Sequence, residues 1–413
     1  MTKRIFAFIT KIGLFLIFQS LANAQSSPIF GPNKYERTTG APNTYKNSFQ
    51  TCNTGATYSI QMENGEGGKD RISSASITLN GIGIVKENEF NQKVDSVEKA
   101  VSLQQDNTLD IRLASGPGGF IKVSVYCSAN CLDVKMTSPI TGSTINKSKI
   151  MIQGNLYNTS GEIGVVLQTS GTGGQTSGLA QIQGTKFAGI MPLQTRTNTI
   201  TAQATDACGY KATDTITINT EAIEEQIRLA PIPSSGIPVL DVTLEAEASL
   251  PNPVSNYSWD FNGDGTPDQT GLALSKLTTP YQSPSLFFPK VTITDTQGNT
   301  YTETTIVNVL SREEMDAVLK GKWEGMKEAL MIRDIEGAVR FFEDKSQETY
   351  RQQFNALKPI ANLIASEMGQ IYFVKMTDNS AEYEIIRTRE GVTYSFYLLF
   401  VRDKNGLWKI KVF

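Results

Sequence analysis

The stretch TNTITAQATDACGYKATDTITI, residues 197–218, indicates how most of this chain folds. Two runs in which polar and apolar residues alternate flank the segment from Asp206 to Gly209. Alternation with a period of two, rich in Thr and Ile, is typical of half-buried β-strands. Asp and Gly between such runs favour a tight turn. The stretch therefore predicts a β-hairpin with Asp206 and Gly209 in its turn.

Two other stretches have the same pattern. They are FPKVTITDTQGNTYTETTIVNV, residues 288–309, and DNTLDIRLASGPGGFIKVSVY, residues 106–126. Asp206 and Asp295 lie about 90 positions apart, and so do the Asn-Thr pairs that begin at Asn107 and Asn198; that is the size of one immunoglobulin-like (Ig-like) β-sandwich. We therefore predict three tandem Ig-like sandwiches and interpret both aspartates as turn formers. The predicted sandwiches cover residues 25–131, 132–222 and 223–310.

The first 25 residues, MTKRIFAFITKIGLFLIFQSLANAQ, predict export. Lys3 and Arg4 precede a short apolar run through Phe18, and Ala22-Asn23-Ala24 follows as a small-x-small cleavage signal. The apolar run is too short and too interrupted for a good membrane span. We expect a signal peptide over residues 1–24 and a periplasmic or extracellular protein with no membrane span after cleavage.

Composition excludes several classes of function. The formal net charge is -3 and no basic block is present, which argues against binding of nucleic acid through its phosphates. The whole chain contains no histidine. Ser-His-Asp and Cys-His mechanisms and His-ligated zinc are therefore excluded. We predict a non-catalytic protein and assign no catalytic residue.

Four cysteines in an exported chain predict two disulfide bonds. The cysteines are Cys52, Cys127, Cys131 and Cys208. The pairing of Cys52 with Cys127 and of Cys131 with Cys208 is preferred, because each bond then closes within one predicted module. The alternative joins Cys127 to Cys131 locally and leaves Cys52 and Cys208 to bond across modules.

The second predicted sandwich resembles the bacterial Ig-like domains of exported proteins. The resemblance is carried by a Ser-Pro-x-x-Gly opening, an Asn-Thr-Ile strand and a Thr-Asp-x-x-Gly hairpin. In this sequence these residues are Ser138, Pro139, Gly142, Asn198, Thr199, Ile200, Thr205, Asp206 and Gly209. Cys208 departs from the small or polar residue that is usual in that turn.

The third predicted sandwich resembles a PKD domain. The resemblance is carried by YSWDFNGDG, residues 257–265, and by FPKVTITDTQGNT, residues 288–300. In that family the tryptophan, here Trp259, lies on a core strand, and the Asp-Gly segment turns the chain into the next strand. The resemblance implies an extracellular spacing or interaction module that has no catalytic residues.

The segment DFNGDGTPD, residues 260–268, has two interpretations. Oxygen-bearing residues alternate around a glycine as they do in a calcium loop. The candidate Ca²⁺ ligands are Asp260, Asn262, Asp264, the carbonyl of Thr266, and Asp268. The bidentate glutamate that normally ends such a loop is missing, because Gly271 stands there. The alternative is a hairpin turn without metal, in which Asn-Gly and Asp-Gly are expected. Ca²⁺ is the only cofactor that the sequence suggests.

Composition changes at Ser311, where Gly and Thr become rare and residues 311–413 begin to follow a helical period. Ser311 and Glu314 form a capping box, and three helices with one apolar face each are expected. The predicted inner faces are Met315, Leu319, Trp323, Met326 and Leu330; then Ile335, Ala338, Val339 and Phe342; then Tyr350, Phe354, Leu357, Ile360 and Ile364. The third helix covers residues 346–368, and Pro359 should bend it.

Four alternating strands follow the helices: QIYFVKMT, AEYEIIRTR, VTYSFYLLFVRD and LWKIKVF, with turns at Glu390-Gly391 and at residues 403–406. This layout resembles the cone-shaped NTF2-like fold, as does the ending Trp408, Ile410 and Phe413. In that family the sheet and helices enclose a pocket. The strand residues that either face such a pocket or serve only packing and solvation are Tyr383, Glu384, Arg387, Tyr394 and Tyr397.

The sequence as a whole is mainly β with an α+β tail: three tandem Ig-like β-sandwiches followed by an NTF2-like α+β domain. We expect an exported, bacterial-type modular protein that interacts with envelope or extracellular proteins at the cell surface or in the periplasm, for adhesion or assembly. Two alternatives are kept. One is a carbohydrate-binding accessory protein with glycan partners, and the other is a small-ligand receptor or enzyme that uses the tail pocket.

Overall fold

The described residues form four hydrophobic clusters that follow one another along the chain. The structure is a computed structural model, and it describes residues 27–114, 116–221, 226–377 and 379–413. The predicted signal peptide lies outside the described residues. The clusters define four parts: module 1 (residues 27–131), module 2 (132–221), module 3 (226–310) and the tail (311–413). No helix in the described ranges is long and apolar enough to cross a membrane.

Module 1 is a β-sandwich of eight strands with one short 3₁₀ turn at Glu87–Glu89. The strands are β1 Phe30–Glu36, β2 Asn43–Gln50, β3 Thr57–Asn64, β4 Ala75–Leu79, β5 Ile82–Val85, β6 Ser96–Val101, β7 Asp106–Leu113 and β8 Phe120–Ala129. They pair in two sheets, with the orders β1-β8-β3-β6 and β2-β7-β4-β5. An order in which the first strand lies beside the last, and the second beside the seventh, is that of an eight-stranded jelly roll.

The β-sandwich predicted for module 1 is therefore confirmed, but its predicted Ig-like strand order and the predicted hairpin over residues 106–126 are wrong. β7 and β8 lie in different sheets: Ile111 pairs with Ile77, whereas Val123 pairs with Met62. Local alternation indicates where strands run. Which strands pair depends on how both apolar faces are buried, and the Gly-Pro-Gly-Gly connection allows the chain to cross between the sheets.

Module 2 has the strand order of an Ig-like sandwich. Its strands are β9 Asp133–Ser138, β10 Lys149–Tyr157, β11 Ile163–Gly171, β12 Gly174–Leu179, β13 Gln181–Gln183, β14 Lys186–Pro192, β15 Arg196–Asp206 and β16 Lys211–Thr220. The sheets have the orders β13-β14-β10-β9 and β12-β11-β15-β16. These match the two immunoglobulin sheets, with strands A, B, E and D in one and C′, C, F and G in the other.

Module 3 is a third sandwich, with interrupted edge strands. Its strands are β17 Ile227–Ile232, β18 Ser235–Gly236, β19 Leu240–Ala248, β20 Val254–Asp260, β21 Gln269–Gly271, β22 Lys276–Tyr281, β23 Ser285–Phe287, β24 Lys290–Asp295, β25 Thr300–Thr304 and β26 Val307–Val309. The sheet orders are β17-β19-β22, β21-β20-β24-β25 and β18-β26-β23. Trp259 is fully buried on β20, and its indole N–H donates to the carbonyl of Leu274 at 2.8 Å. The predicted core position of this tryptophan is confirmed.

An aspartate closes the same kind of hairpin turn in module 2, in module 3 and in the tail. Its carboxylate accepts the backbone N–H groups two and four residues further on, while a glycine at positive φ completes the turn. The accepting and donating residues are Asp206 with Cys208 and Tyr210, Asp295 with Gln297 and Asn299, and Asp403 with Asn405 and Leu407. The interpretation of Asp206 and Asp295 as turn formers is confirmed, and Asp403 adds a third case.

The tail packs four helices against one antiparallel sheet. The helices are α1 Arg312–Met331, α2 Ile335–Val339, α3 Asp344–Ala356 and α4 Ala361–Glu367, with a 3₁₀ turn at Lys358–Ile360. The strands are β27 Ile371–Thr377, β28 Ser380–Arg389, β29 Val392–Arg402 and β30 Trp408–Val412, in the order β27-β28-β29-β30. Half of the predicted capping box is present, since the Ser311 hydroxyl accepts the Glu314 N–H at 3.2 Å; the same hydroxyl donates to the carboxylate of Glu313. Of the predicted α1 face, Leu319, Trp323, Met326 and Leu330 are buried.

The third predicted helix is divided at Pro359. Tyr350 and Phe354 are buried as expected, but Leu357 and Ile360 are 41% and 46% exposed, so their predicted inward positions are wrong. Proline lacks the N–H that continues an α-helix, and its ring clashes with the preceding turn. α3 therefore ends at Ala356, and the intervening 3₁₀ turn changes the rotational phase before α4 begins.

The disulfides are Cys52–Cys208 and Cys127–Cys131. The preferred pairing within modules is wrong, and the alternative pairing is confirmed. Asn130 adopts a φ of 55°, which turns the chain back after β8 and places the Cα atoms of Cys127 and Cys131 5.9 Å apart. Cys208 lies at the tip of the Asp206 hairpin and reaches Cys52 of module 1, so this bond joins two modules.

The tail contacts module 2, although module 3 lies between them in the sequence. Glu162, just before β11, lies with one carboxylate oxygen 2.7 Å from Lys322 Nζ of α1, and its other oxygen accepts the Trp408 N–H at 2.6 Å. Both ion-pair side chains are only 11% exposed. Gly164 touches the β29–β30 hairpin so closely that a Cβ there would clash with the carbonyl oxygen of Asn405. Sandwich and tail therefore form a packed interface.

Removing the disulfide between modules should cost more stability than removing the local one. Because 156 residues separate Cys52 from Cys208, against 4 for Cys127 and Cys131, the entropic account gives the longer loop the larger effect, typically about 2–4 kcal/mol. We expect the double variant Cys52→Ser/Cys208→Ser to unfold at lower urea than Cys127→Ser/Cys131→Ser, measured by circular dichroism. Equal losses would contradict the cross-link between modules.

Gly164→Ala should separate the tail from module 2 without unfolding either one. The added methyl group meets a backbone oxygen that cannot move without breaking the β29–β30 turn. Faster proteolysis between the tail and module 3, with unchanged circular dichroism, is the expected result. Gly83→Ala is the matched control, because a Cβ at this strand position meets nothing within 4 Å. Equal proteolysis rates for both variants would refute the interface.

Loss of the carboxylate charge should lower the thermal stability of the Asp295 hairpin but not that of the Asp206 hairpin. The Asn299 side chain, together with Asn252 and two backbone N–H groups, lowers the pKa of Asp295 to about 2, whereas burial raises the pKa of Asp206. A lowered pKa contributes stability above the unfolded value, near pH 4, and that stability is lost as pH falls towards 2. A raised pKa contributes stability only at low pH. At pH 7, Asp295→Asn should therefore lower the melting midpoint, and Asp206→Asn should not; differential scanning calorimetry decides.

Candidate functional site

The loop predicted to bind Ca²⁺ is closed by its own backbone. The carboxylate of Asp260, which is 4% exposed, accepts the N–H groups of Gly263, Asp264 and Gly265 at 2.7, 3.2 and 2.8 Å. Asp268 accepts the N–H of Phe261 at 2.6 Å. The carboxylates at the two ends of the loop are therefore occupied by amide donors.

The side chains of the remaining candidate ligands also form hydrogen bonds within the loop. Asp264 accepts the Thr266 N–H at 2.7 Å and the Asn262 amide at 3.0 Å, and the Thr266 N–H first, then the Asn262 side chain, lowers the pKa of Asp264. Within the described ranges, no group of three His, Cys, Asp or Glu side chains is placed to hold a metal ion. Each carboxylate oxygen that accepts one of these N–H groups keeps a further lone pair, so the hydrogen bonds account for the loop geometry without a metal and leave Ca²⁺ binding untested. The hairpin-turn interpretation accounts for the geometry, and the calcium site stays a prediction from sequence.

The same loop borders a cleft between modules 2 and 3. The cleft has a volume of about 680 Å³, and Asp260, Gly263 and Gly265 form part of its module 3 wall. Lys147 of module 2 crosses it to Glu303 of module 3, with Nζ and carboxylate oxygen 3.2 Å apart. This ion pair joins the modules and engages Glu303, one of the two acidic residues that line the cleft; the other is Asp260.

The tail contains a smaller groove between α4 and the sheet, with a volume of about 280 Å³. Its lining is apolar except for Arg387 and Glu367, which form an ion pair at the entrance. The apolar lining residues are Ile364, Met368, Ile385, Phe396 and Phe413. Of the five strand residues proposed for a pocket, only Arg387 lines this groove.

The other four lie elsewhere. Tyr383 is fully buried and donates its hydroxyl to Asp316 at 2.5 Å; burial first, and this carboxylate second, raise the pKa of Tyr383. Glu384 accepts a hydrogen bond from the Ser395 hydroxyl, and its cross-strand neighbour is Tyr397, on the sheet face opposite the groove. Tyr394 stands beside Phe396 with ring centroids 6.4 Å apart, half exposed.

Tyr394 belongs to a two-stranded projection that the sequence did not reveal. β27 pairs with β28 only as far as Ile385, and β30 pairs with β29 only from Leu399 onward. Residues 386–397, here called the arm, therefore have no sheet neighbour on either side among the described residues. All of β29 from Val392 to Tyr397 is exposed, although VTYSFY has the composition of a core strand.

The arm presents large apolar side chains to solvent on both faces. Val392, Tyr394, Phe396 and Tyr397 are 52%, 48%, 49% and 51% exposed. An isolated hydrophobic residue on a surface needs no explanation, whereas a contiguous exposed patch marks an interaction site. The sequence signal for it was the mismatch in predicted strand length: VTYSFYLLFVRD has 12 residues and LWKIKVF has 7.

Comparisons with known proteins add little. No protein-family profile matches the chain, and no curated protein matches it. Solved structures similar to parts of it include an engineered protein (18% identity, TM-score 0.20, 22% of this chain and 20% of that one), fibronectin(III)-like modules of Clostridium thermocellum CbhA (12%, 0.18, 44% and 95%) and a 1.5-MDa bacterial ice-binding adhesin (14%, 0.18, 66% and 98%). Scores this low carry no argument about function. The assignment of β-sandwiches rests on the strand pairing described above.

Asp260→Ala should destabilise module 3 more than Asp264→Ala. The first change removes a buried acceptor of three amide groups, at a cost of about 1–3 kcal/mol, while the second removes an exposed carboxylate. Thermal melts in chelator test this difference. The same melts in millimolar Ca²⁺ test the metal: a midpoint that rises in the wild type and not in Asp264→Ala would restore the calcium interpretation.

Proposed function

We propose that this chain is an exported, non-catalytic modular protein that binds other proteins in the periplasm or at the cell surface, in adhesion or assembly. In this proposal module 3 is a PKD-like spacer, and the tail is an NTF2-like domain that carries the binding surface. The observation that carries the proposal is the arm, with its exposed aromatic side chains on both faces.

The disposition of the modules supports this role. The Cys52–Cys208 bond holds modules 1 and 2 together, and the Glu162–Lys322 pair holds the tail against module 2. The N–H of Leu310, at the end of module 3, donates to the Gly236 carbonyl at 2.7 Å, so the entry to the tail is also held. A binding surface fixed in this way loses less conformational freedom on association than one on a flexible linker.

The absence of histidine from the whole chain is the support for a non-catalytic role. Other nucleophiles and acid–base groups exist, but those that the structure gathers together serve packing. Asp316 and Tyr383 bond to each other inside the tail, and Asp206, Asp295 and Asp403 hold turns. None of these side chains lines the tail groove.

Site-specific photo-crosslinking tests the proposal. A photoreactive phenylalanine in place of Tyr397, on the arm, should crosslink to envelope or extracellular proteins when the full chain is exported. The same replacement at Tyr157 of module 2 is the matched control, because the two tyrosines are 51% and 46% exposed. Crosslinks that are equal at both positions, or absent from the arm, would overturn the proposal.

A second candidate function is a small-ligand receptor in the tail groove. The observation that favours it is Arg387 at the mouth of an apolar groove of about 280 Å³. That combination suits a small amphipathic anion. In the free protein Glu367 pairs with Arg387, so an anionic ligand would have to replace that carboxylate. Anilinonaphthalene sulfonate should then bind with enhanced fluorescence, and Arg387→Ala should weaken it more than Arg389→Ala. Equal weakening, or no binding, would remove this candidate.

A further inference from the structure

We infer that the arm pairs with the arm of a second copy of this chain, through the open edge of β29. The inference rests on the proposed function and adds a second partner for the arm: its open strand edge takes a second copy of the chain, and its two faces bind other proteins. Among the described residues, residues 392–397 of β29 pair only with β28; on the other side β30 begins its pairing at Leu399. The backbone groups on that side are therefore available to a further strand.

The open segment lacks the features that keep sheet edges apart. Exposed edge strands are usually protected by charged residues, proline or short length. The other edge strands of six or more residues in the described ranges carry a charged residue, apart from β12, which contains two glycines. These strands are β1, β2, β6, β9, β16, β17, β22 and β27. The segment VTYSFY has no charge, no proline and no glycine, and it is rich in strand-forming residues.

The arm's other edge is protected. The corresponding part of β28 carries Arg387 and Arg389, which would meet like charges if it paired with its own copy. Only the β29 edge is therefore compatible with pairing of two identical strands. In an antiparallel pair, opposite residues lie on the same face of the sheet. A two-fold axis through a β29 residue therefore places the side chains of each arm face beside those of the same face in the second copy.

The length of the open edge selects the register. With the two-fold axis at Tyr394, Val392 lies opposite Phe396 of the second copy, and Thr393 opposite its Ser395. The turn Glu390-Gly391 of the second copy then lies opposite Tyr397 and Leu398, just before the position at which β30 begins to pair. An axis one residue further along would place that turn against Val412. The pairing brings valine against phenylalanine on one face and hydroxyl against hydroxyl on the other.

Charge placed at the hydroxyl pair tests the inference. Thr393 and Ser395 are exposed and polar, so substitution there should not impair folding. In Thr393→Lys/Ser395→Lys, lysine meets lysine twice across the axis, and dimerisation should weaken by at least about tenfold. In Thr393→Lys/Ser395→Glu, lysine meets glutamate twice, and the dimer should persist. Sedimentation of residues 25–413 at increasing concentration measures both. Thr388→Lys, on β28 beside Thr393, is the matched control and should leave the dimer unchanged.

A covalent readout is independent of these charges. The four cysteines are all in disulfides, so Tyr394→Cys adds a single free thiol that meets its own copy at the axis. Oxidation should give a covalent dimer, and Thr388→Cys should form no covalent dimer. A monomeric wild type, a dimer unaffected by the lysine pair, or equal crosslinking of both cysteine variants would overturn the inference. If Tyr397 still crosslinks to other proteins in that case, the proposed function stands while self-pairing falls.

Discussion

The structure depends on one interaction: an aspartate carboxylate accepts the N–H groups two and four residues ahead and so closes a hairpin. In module 2, Asp206 holds the turn that projects Cys208 to Cys52 of module 1. In the tail, Asp403 holds the turn whose Asn405 carbonyl packs against Gly164. The carboxylate satisfies turn amides that would otherwise need water, so each turn can be buried against a neighbouring module.

These contacts make the chain more than a series of separate sandwiches. The tail comes last in sequence, yet it packs against module 2 through the nearly buried Glu162–Lys322 pair. Breaking such a pair by removing one partner leaves an uncompensated charge, so it constrains the arrangement more than it stabilises it. With the interfaces between modules occupied in this way, the arm carries most of the exposed aromatic side chains in the described part of the tail; Tyr372 of β27 is the other one.

Several features could be predicted from sequence because their causes are local. The Ser311 cap, the α1 face from Leu319 to Leu330, the tail strands and the turns at Asp206 and Asp295 each depend on residues within a few positions of one another. The predictions were wrong where the outcome depends on which distant strand or cysteine a segment pairs with. β7 and β8 alternate like a hairpin but pair with different strands, and Cys208 bonds to Cys52, 156 residues away in module 1, rather than within its own module.

The candidate site divides in the same way. The sequence by itself determined that residues 260–268 form a tight turn rich in oxygen ligands, and that VTYSFY is a strand. Only the tertiary structure decided that Asp260 is buried, and that one half of β29 projects beyond its neighbours. The physical reason is that conformational preference acts between adjacent residues, whereas burial depends on where the rest of the chain lies.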